Sequence, residues 1–168
     1  TTDEWIRDRT GIRERRVARE GETSGDMAEV AAQRAIKAAG VDPKDIGLLI
    51  LGTTTPDLVF PSTACLLQSR LGLPDCGAMD VNAACSGFMY ALSIADKYIR
   101  CGDVKKALVI GVDKLSAMID WSDRGTAVLF GDGAGAVVLE ASDDAGILST
   151  HIHAAGRHSD LLNVDVGV

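Results

Sequence analysis

Apolar and polar positions along this chain fall into blocks of two periods. Ala28, Ala31, Ala32, Ala35, Ile36 and Ala39 recur at intervals of three and four, which puts them on one face of a helix. The pattern predicts a helix from about Ser24 to Ala39, ended by Gly40. Ahead of it, Thr2 can cap a short helix whose first turn carries Asp3 and Glu4 at the positive end of its dipole, with Gly11 as its stop. Ile46 to Gly52 is a continuous apolar run of strand length and predicts a buried strand. Pro56 to Pro61 read as a loop. Ser62 then caps a helix to Leu71, closed by Gly72. A short strand is predicted near Gly77 to Val81. A helix follows from about Ser86 to Arg100, with Phe88, Ala91, Leu92, Ala95, Tyr98 and Ile99 on one face and Gly102 behind it. Ala107 to Val112 is a further buried strand. Beyond Trp121 the blocks shorten, and Thr126–Phe130, Ala134–Glu140 and Gly146–Ala154 read as strands separated by Gly-rich turns.

Strand, helix, strand, helix, strand with short connections is the order of an α/β domain with a parallel sheet and helical crossovers. With 168 residues, one domain is expected. The chain opens at a helix cap without a leading Met and closes on Asp165-Val166-Gly167-Val168 with no final element. It therefore reads as a piece of a longer protein.

Composition narrows the class. Charged residues make up 24% and hydrophobic residues 46%, as in an ordinary soluble protein. The net charge of −7 argues against a nucleic-acid surface. Arg7, Arg9, Arg13, Arg15, Arg16 and Arg19 nevertheless crowd the start of the chain. Such a run is ordinarily a solvated face. No apolar run has the length of a membrane span, and no secretory leader pattern is present. Cys65, Cys76, Cys85 and Cys101 contain no C-x-x-C pair, so a zinc site is not expected, and free thiols in a reducing cytoplasm are.

Four features carry candidate chemistry. In Asp80-Val81-Asn82-Ala83-Ala84-Cys85-Ser86-Gly87-Phe88 a strand ends, small residues turn the chain, and a helix begins at a cysteine. A thiol there faces unpaired N–H groups and the positive end of the dipole, both of which favour the nucleophilic thiolate. Small neighbours leave room for a substrate carbonyl, and the Cys85 N–H could help hold an oxyanion. A buried structural cysteine is an equally good reading of position alone, and it is the one assigned to Cys65, Cys76 and Cys101. The second feature, Gly131-Asp132-Gly133-Ala134-Gly135-Ala136, resembles a dinucleotide loop in composition only. A strand-like stretch follows it instead of a helix, so it reads as a tight turn between strands. Third, His151 and His153 share a face of a predicted strand, but no acidic or Cys partner has metal-site spacing; with His158 they read as structural or surface residues. Finally, Trp5 lies near Arg7 and Arg9, and Trp121 near Arg124. An indole and a guanidinium can sandwich a flat base, and a half-buried Trp among surface arginines looks the same in sequence.

Taken together, these residues change the weighing. Thr2-Asp3-Glu4-Trp5-Ile6 with Arg9-Thr10-Gly11-Ile12, then Phe60-Pro61-Ser62, Ala83-Ala84-Cys85-Ser86-Gly87-Phe88, Asp123-Arg124-Gly125-Thr126 and Phe130-Gly131-Asp132-Gly133-Ala134-Gly135-Ala136 stand in the order seen in one family. The chain resembles the β-ketoacyl-acyl-carrier-protein synthase III family, initiating condensing enzymes of bacterial fatty-acid synthesis in the thiolase superfamily. The resemblance covers essentially all of residues 1–168, read as the N-terminal thiolase-like half with the nucleophile and the CoA-binding segments. It implies a thiolase-like fold, one βαβαβ-type half of a five-layered αβαβα structure. Cys85 would accept an acyl group, expected to be acetyl, from acyl-CoA as a thioester. A malonyl-acyl-carrier protein would then lose CO₂ and condense with it. Trp5 and Arg124 would sandwich the CoA adenine, with Arg9 and Thr10 beside them. Leu115, Phe130 and Leu162 would line the acyl pocket, and Phe60 would reach across a homodimer interface into the partner's pocket. Acyl-CoA would be a substrate, with no metal and no resident organic cofactor, in the cytoplasm.

Two departures qualify the resemblance. The family's strand ahead of Trp5 is missing from these residues, and its assisting His and Asn lie in a C-terminal half that the chain lacks. These residues alone are therefore expected to be inactive. A half-subunit of a related specialised-metabolite condensing enzyme and a non-catalytic scaffold fragment are the alternatives. A thiol-redox protein is a weaker one, because no C-x-x-C is present.

Overall fold

A computed structural model describes residues 1–164; Asp165–Val168, read above as carrying no final element, lie outside the described residues. The elements in chain order are α1 (Asp3–Thr10), α2 (Ser24–Ala39), β1 (Leu48–Gly52), α3 (Thr63–Arg70), β2 (Gly77–Val81), α4 (Gly87–Arg100), β3 (Lys106–Lys114) and β4 (Asp132–Glu140), with single 3₁₀ turns between them. The sheet order is β2-β1-β3-β4. β2, β1 and β3 are parallel, Ile50 standing between Met79 and Val109. β4 returns antiparallel along β3, with Val137 opposite Val109. The α/β reading with helical crossovers is thus the observed architecture.

Three layers follow from how the central strands bury both faces. Leu49 and Leu51 of β1, with Leu108, Ile110 and Val112 of β3, pack beneath Ala28, Ala32 and Ile36 of α2 and Ala64 and Leu67 of α3. Leu48, Ile50, Ala107 and Val109 turn the other way, onto Ala91 and Ala95 of α4. A strand apolar at successive positions can satisfy both layers at once, which is why β1 reads as an unbroken apolar run. Small residues on α2 and α4 bring the helices close to the sheet. The caps agree with the sequence as well. Thr2 Oγ1 accepts from the N–H of Trp5, and Ser62 Oγ from that of Cys65. Gly11 and Gly40 end α1 and α2 in the left-handed region. Of the stripes expected on the helices, Ala39 and Tyr98 are exposed, while Ser93 and Asp96 of α4 are buried.

Two expected strands are absent, and the same kind of interaction displaces each. Thr126–Phe130 is not extended. The Asp123 carboxylate accepts from the Gly125 N–H and the Thr126 hydroxyl and winds these residues into turns, with Ala127 N–H bonded to the Asp123 carbonyl. Gly146–Ala154 joins no ladder because side chains of α4 hold it. Arg100 donates to the Ile147 carbonyl, Ser93 and Lys97 bond the Thr150 hydroxyl, and Tyr90 donates to the His153 carbonyl. Asp96, beneath them, orients Arg100 and Lys97. The Gly-rich stretch is also not a turn between strands: Gly133 and Gly135 sit inside β4, paired with Asp113 and Gly111.

The segment between α1 and α2 is tied down by one carboxylate. Asp132 accepts from the N–H of Ala18 at 2.7 Å and from the N–H of Ser116 at 2.8 Å, and also from the Ser116 hydroxyl. Its own N–H donates to the Arg16 carbonyl at 2.7 Å. Burial works to raise the Asp132 carboxyl, but the Ala18 N–H, the Ser116 donors and nearby Lys114 together hold it below the ordinary carboxylate range. A group lowered in the folded state adds stability above its unfolded pKa of about 3.9 and loses it as pH falls through the folded value. Asp132→Asn should therefore cost about 1–3 kcal/mol at pH 7. In urea titrations the gap from wild type should narrow below about pH 4, where the wild-type carboxylate protonates too.

Candidate active site

Gly52 ends β1 where α4 begins. A Cβ built on Gly52 would stand 2.4 Å from the Gly87 carbonyl carbon and 2.7 Å from its oxygen. One built on Gly111 of β3 would meet Phe88 Cβ at 3.1 Å. Both contacts bring the first turn of α4 down onto the C-terminal ends of β1 and β3, where open α/β sheets place their sites. The chain reaches that position through a tight turn. Ala84 adopts φ +47°, a left-handed conformation that costs a residue with a Cβ of the order of 1 kcal/mol. The Asn82 side chain accepts the Ala84 N–H at 3.3 Å, and the Ser86 N–H reaches the Ala83 carbonyl. Cys85 rides on this 3₁₀ turn, Ala84–Ser86, and α4 proper starts two residues later than the cysteine itself. The Ser86 side chain makes no cap bond, so the positive end of α4 is left facing the turn.

Cys85 is exposed and lines a cavity of about 490 Å³ together with Leu115, Met118, Ile119, Phe130 and Leu162. The expected pocket residues Leu115, Phe130 and Leu162 are thus brought to the thiol from three separate segments. A second hollow of about 650 Å³ continues from Cys85 over Phe88 and Gly111 along the start of β4. Phe60 is elsewhere, 82% exposed on the loop after β1. That loop is shaped by carboxylates. Asp57 accepts from the N–H of Gly25, Asp80 caps α3 through the N–H groups of Thr63 and Ala64, and Asp113 accepts both the N–H and the hydroxyl of Thr54.

The other expected residues lie on the surface. Trp5 is half-exposed on α1, and the guanidinium over its ring is that of Arg9, 4.5 Å from the centroid. Thr10 uses its hydroxyl at the end of α1, donating to the Ile6 carbonyl and accepting from Ile12 N–H. Arg124 is exposed in the turn begun by Asp123. All six early arginines are exposed, and Arg15 also reaches the Ala127 carbonyl. Of the other cysteines, expected to be buried, Cys65 and Cys101 are exposed. Only Cys76 packs against the core, where burial raises its thiol. The three histidines are exposed, and His151 bonds Ser149. Among the described residues no three His, Cys, Asp or Glu side chains group as metal ligands, and no helix is long and apolar enough to cross a membrane.

Gly52, Gly111, Asn82 and Asp113 are the site-shaping residues that the sequence reading did not single out. Gly52 was visible as the end of an apolar run, but its partner lies 35 residues on, at Gly87.

Comparison with known proteins follows the same geometry. The family described as 3-oxoacyl-[acyl-carrier-protein (ACP)] synthase III matches residues 79–156, the stretch from β2 through β4 that contains Cys85. A Xylella fastidiosa protein named β-ketoacyl-[acyl-carrier-protein] synthase III is 64% identical over all 168 residues, which span 52% of its length. The crystal structure of 3-oxoacyl-[acyl-carrier-protein] synthase III from Aquifex aeolicus superposes with a TM-score of 0.95 at 53% identity, over 98% of this chain and 54% of that one. The corresponding Pseudomonas aeruginosa structure gives 0.93 at 40% identity, over 100% of this chain and 53% of that one. The chain thus spans about half the length of the relatives it matches, and the fold is the thiolase-like one they share.

Because Gly52 meets backbone atoms of Gly87 that cannot rotate away, Gly52→Ala should destabilise the protein by about 1–3 kcal/mol. A denaturation midpoint equal to that of wild type would contradict the close approach as the determinant of the Cys85 turn.

Proposed function

The chain belongs to the 3-oxoacyl-[acyl-carrier-protein] synthase III family, and we propose from that premise that Cys85 accepts the acyl group of an acyl-CoA, expected to be acetyl-CoA, for condensation with a malonyl-acyl-carrier protein. The observation that carries this reading is the placement of one exposed thiol. It sits on a strained turn ahead of a helix N-terminus and lines a cavity together with Leu115, Phe130 and Leu162.

The transfer has two stages. The Cys85 thiolate attacks the acyl-CoA carbonyl, the C–S bond to CoA breaks, and CoA leaves as the thiol after taking a proton. The N–H of Cys85 is our candidate donor to the oxyanion that forms between these events. The malonyl group then breaks its bond to the carboxylate, which departs as CO₂. The electron pair left on carbon attacks the Cys85 thioester. A carbon–carbon bond forms, the Cys85 C–S bond breaks, and the thiolate returns. Loss of CO₂ supplies the carbanion, so this route calls for no metal and no resident organic cofactor.

Trp5 and Arg124, with Arg9 and Thr10, are assigned to the CoA adenine. Exposure of the Trp5 indole, already carrying one guanidinium, supports a stacking role. Phe60, with its loop neighbours Leu58 and Val59 also exposed, is assigned to the pocket of a second copy in a homodimer. We take residues 1–168 as the N-terminal half of a five-layered parent, acting in the cytoplasm. The assisting His and Asn belong to the other half of that parent.

Intact mass after incubation of the full-length protein with a series of acyl-CoAs should show a single thioester adduct that Cys85→Ala abolishes. Absence of labelling by every acyl-CoA would remove Cys85 as the nucleophile. Residues 1–168 alone should give no sustained β-ketoacyl product, and product formation by them would overturn the two-half assignment.

A further inference from the structure

The loop after β1 is tied down as far as Asp57 and again from Ser62. Thr54 bonds Asp113, and the Thr55 hydroxyl accepts the Lys114 N–H and pairs with the hydroxyl of Ser24. The Asp57 carboxylate accepts the Gly25 N–H at 2.8 Å on one oxygen and the Thr23 hydroxyl at 3.0 Å on the other. Its own N–H donates to the hydroxyl of Thr63, the first residue of α3, at 2.9 Å. Asp57 thus joins the first turn of α2 to the first turn of α3. Leu58, Val59 and Phe60 come next, and they make no hydrogen bond among the described residues. Val59 is 93% exposed and Phe60 82%. An apolar tip without bonds of its own takes its direction from the fixed residues on either side of it.

The start of α2 is shaped for this contact. A Cβ built on Gly25 would lie 2.3 Å from Asp57 Oδ2. Glycine is less favourable than alanine within a helix, and here its missing side chain leaves the space that the carboxylate fills. We infer that Asp57 is a positioning residue that presents Phe60 to the second copy, so that the start of α2 in one copy limits the acyl length taken by Cys85 of the other. The inference rests on the assignment of Phe60 to the pocket of a second copy. A ring held in that pocket occupies volume that a longer acyl chain would need. Without the Asp57 carboxylate the tip loses its direction, the ring withdraws, and longer chains gain entry.

The test uses mixed dimers of the full-length protein, purified through two different affinity tags, with one Cys85 in each dimer. Thioester formation on Cys85 from acetyl-CoA and octanoyl-CoA is read by intact mass. The reference dimer pairs a wild-type copy with a Cys85→Ala copy. In the first arrangement one copy carries Asp57→Ala and the other Cys85→Ala, so the reactive thiol faces an unaltered partner loop. In the second, one copy carries both substitutions, and the reactive thiol of the other copy faces the altered loop. The octanoyl-to-acetyl rate ratio should match the reference in the first arrangement and rise about fivefold or more in the second. Gly25→Ala, which suits the helix but displaces the carboxylate, should do the same. Phe60→Ala should give a rise at least as large, again in the second arrangement only. Suppose Phe60→Ala raises the ratio but Asp57→Ala, or Gly25→Ala should Asp57→Ala fail to fold, leaves it within about twofold of the reference; the inference is then overturned alone. An equal rise in both arrangements would make Asp57 a support of its own chain and would overturn it too. If Phe60→Ala moves neither arrangement, or the tagged copies do not purify together, the homodimer assignment falls and the inference with it.

Discussion

The contact of Gly52 with Gly87 is the constraint from which the site follows. Two backbones meet there at a distance that no side chain could occupy, and the end of β1 becomes the seat for the first turn of α4. With the Phe88 side chain packed over Gly111, the helix lies on two adjacent parallel strands at their C-terminal ends. The chain between β2 and α4 then has five residues, 82–86, in which to climb from the sheet edge to that seat. It does so by putting Ala84 in the left-handed region and Cys85 at the crest. The strain is small and local, and the packing of Ala91 and Ala95 against the sheet overcomes it.

Carboxylates make four further long-range ties. Asp80 holds the start of α3, Asp57 the start of α2, Asp113 the loop after β1, and Asp132 the segment that leads from α1. In each case the acceptor sits at or near a strand end or loop and takes backbone N–H groups that a helix or loop leaves unpaired. An ionised acceptor makes a stronger bond than a neutral one. The Asp132 tie fixes residues 16–18, which follow α1, against the start of β4.

Two of the failed expectations share a physical cause. Thr126–Phe130 and Gly146–Ala154 are short, partly apolar stretches of strand length, yet side-chain hydrogen bonds hold their backbones out of any ladder. The Gly-rich stretch after Phe130 reads as a turn because a strand-like stretch follows it where a phosphate loop would open a helix. It is a strand because Gly135 faces Gly111 across the ladder and Gly133 faces Asp113, where slender residues let the hollow beside Cys85 continue along the sheet.

Local pattern by itself determined the helices, their caps, the three parallel strands and the strand-to-helix turn that carries Cys85. These depend on periodicity and on residues within a few positions of each other, and a sequence displays both directly. Ordered motifs also carried the resemblance to the family, because their order along the chain can be read without knowing the fold. Tertiary structure alone decided which glycines touch and which carboxylates tie one segment to another. Those facts depend on residues from separate segments meeting in space. No local period encodes that meeting, and only packing the helices on the sheet produces it.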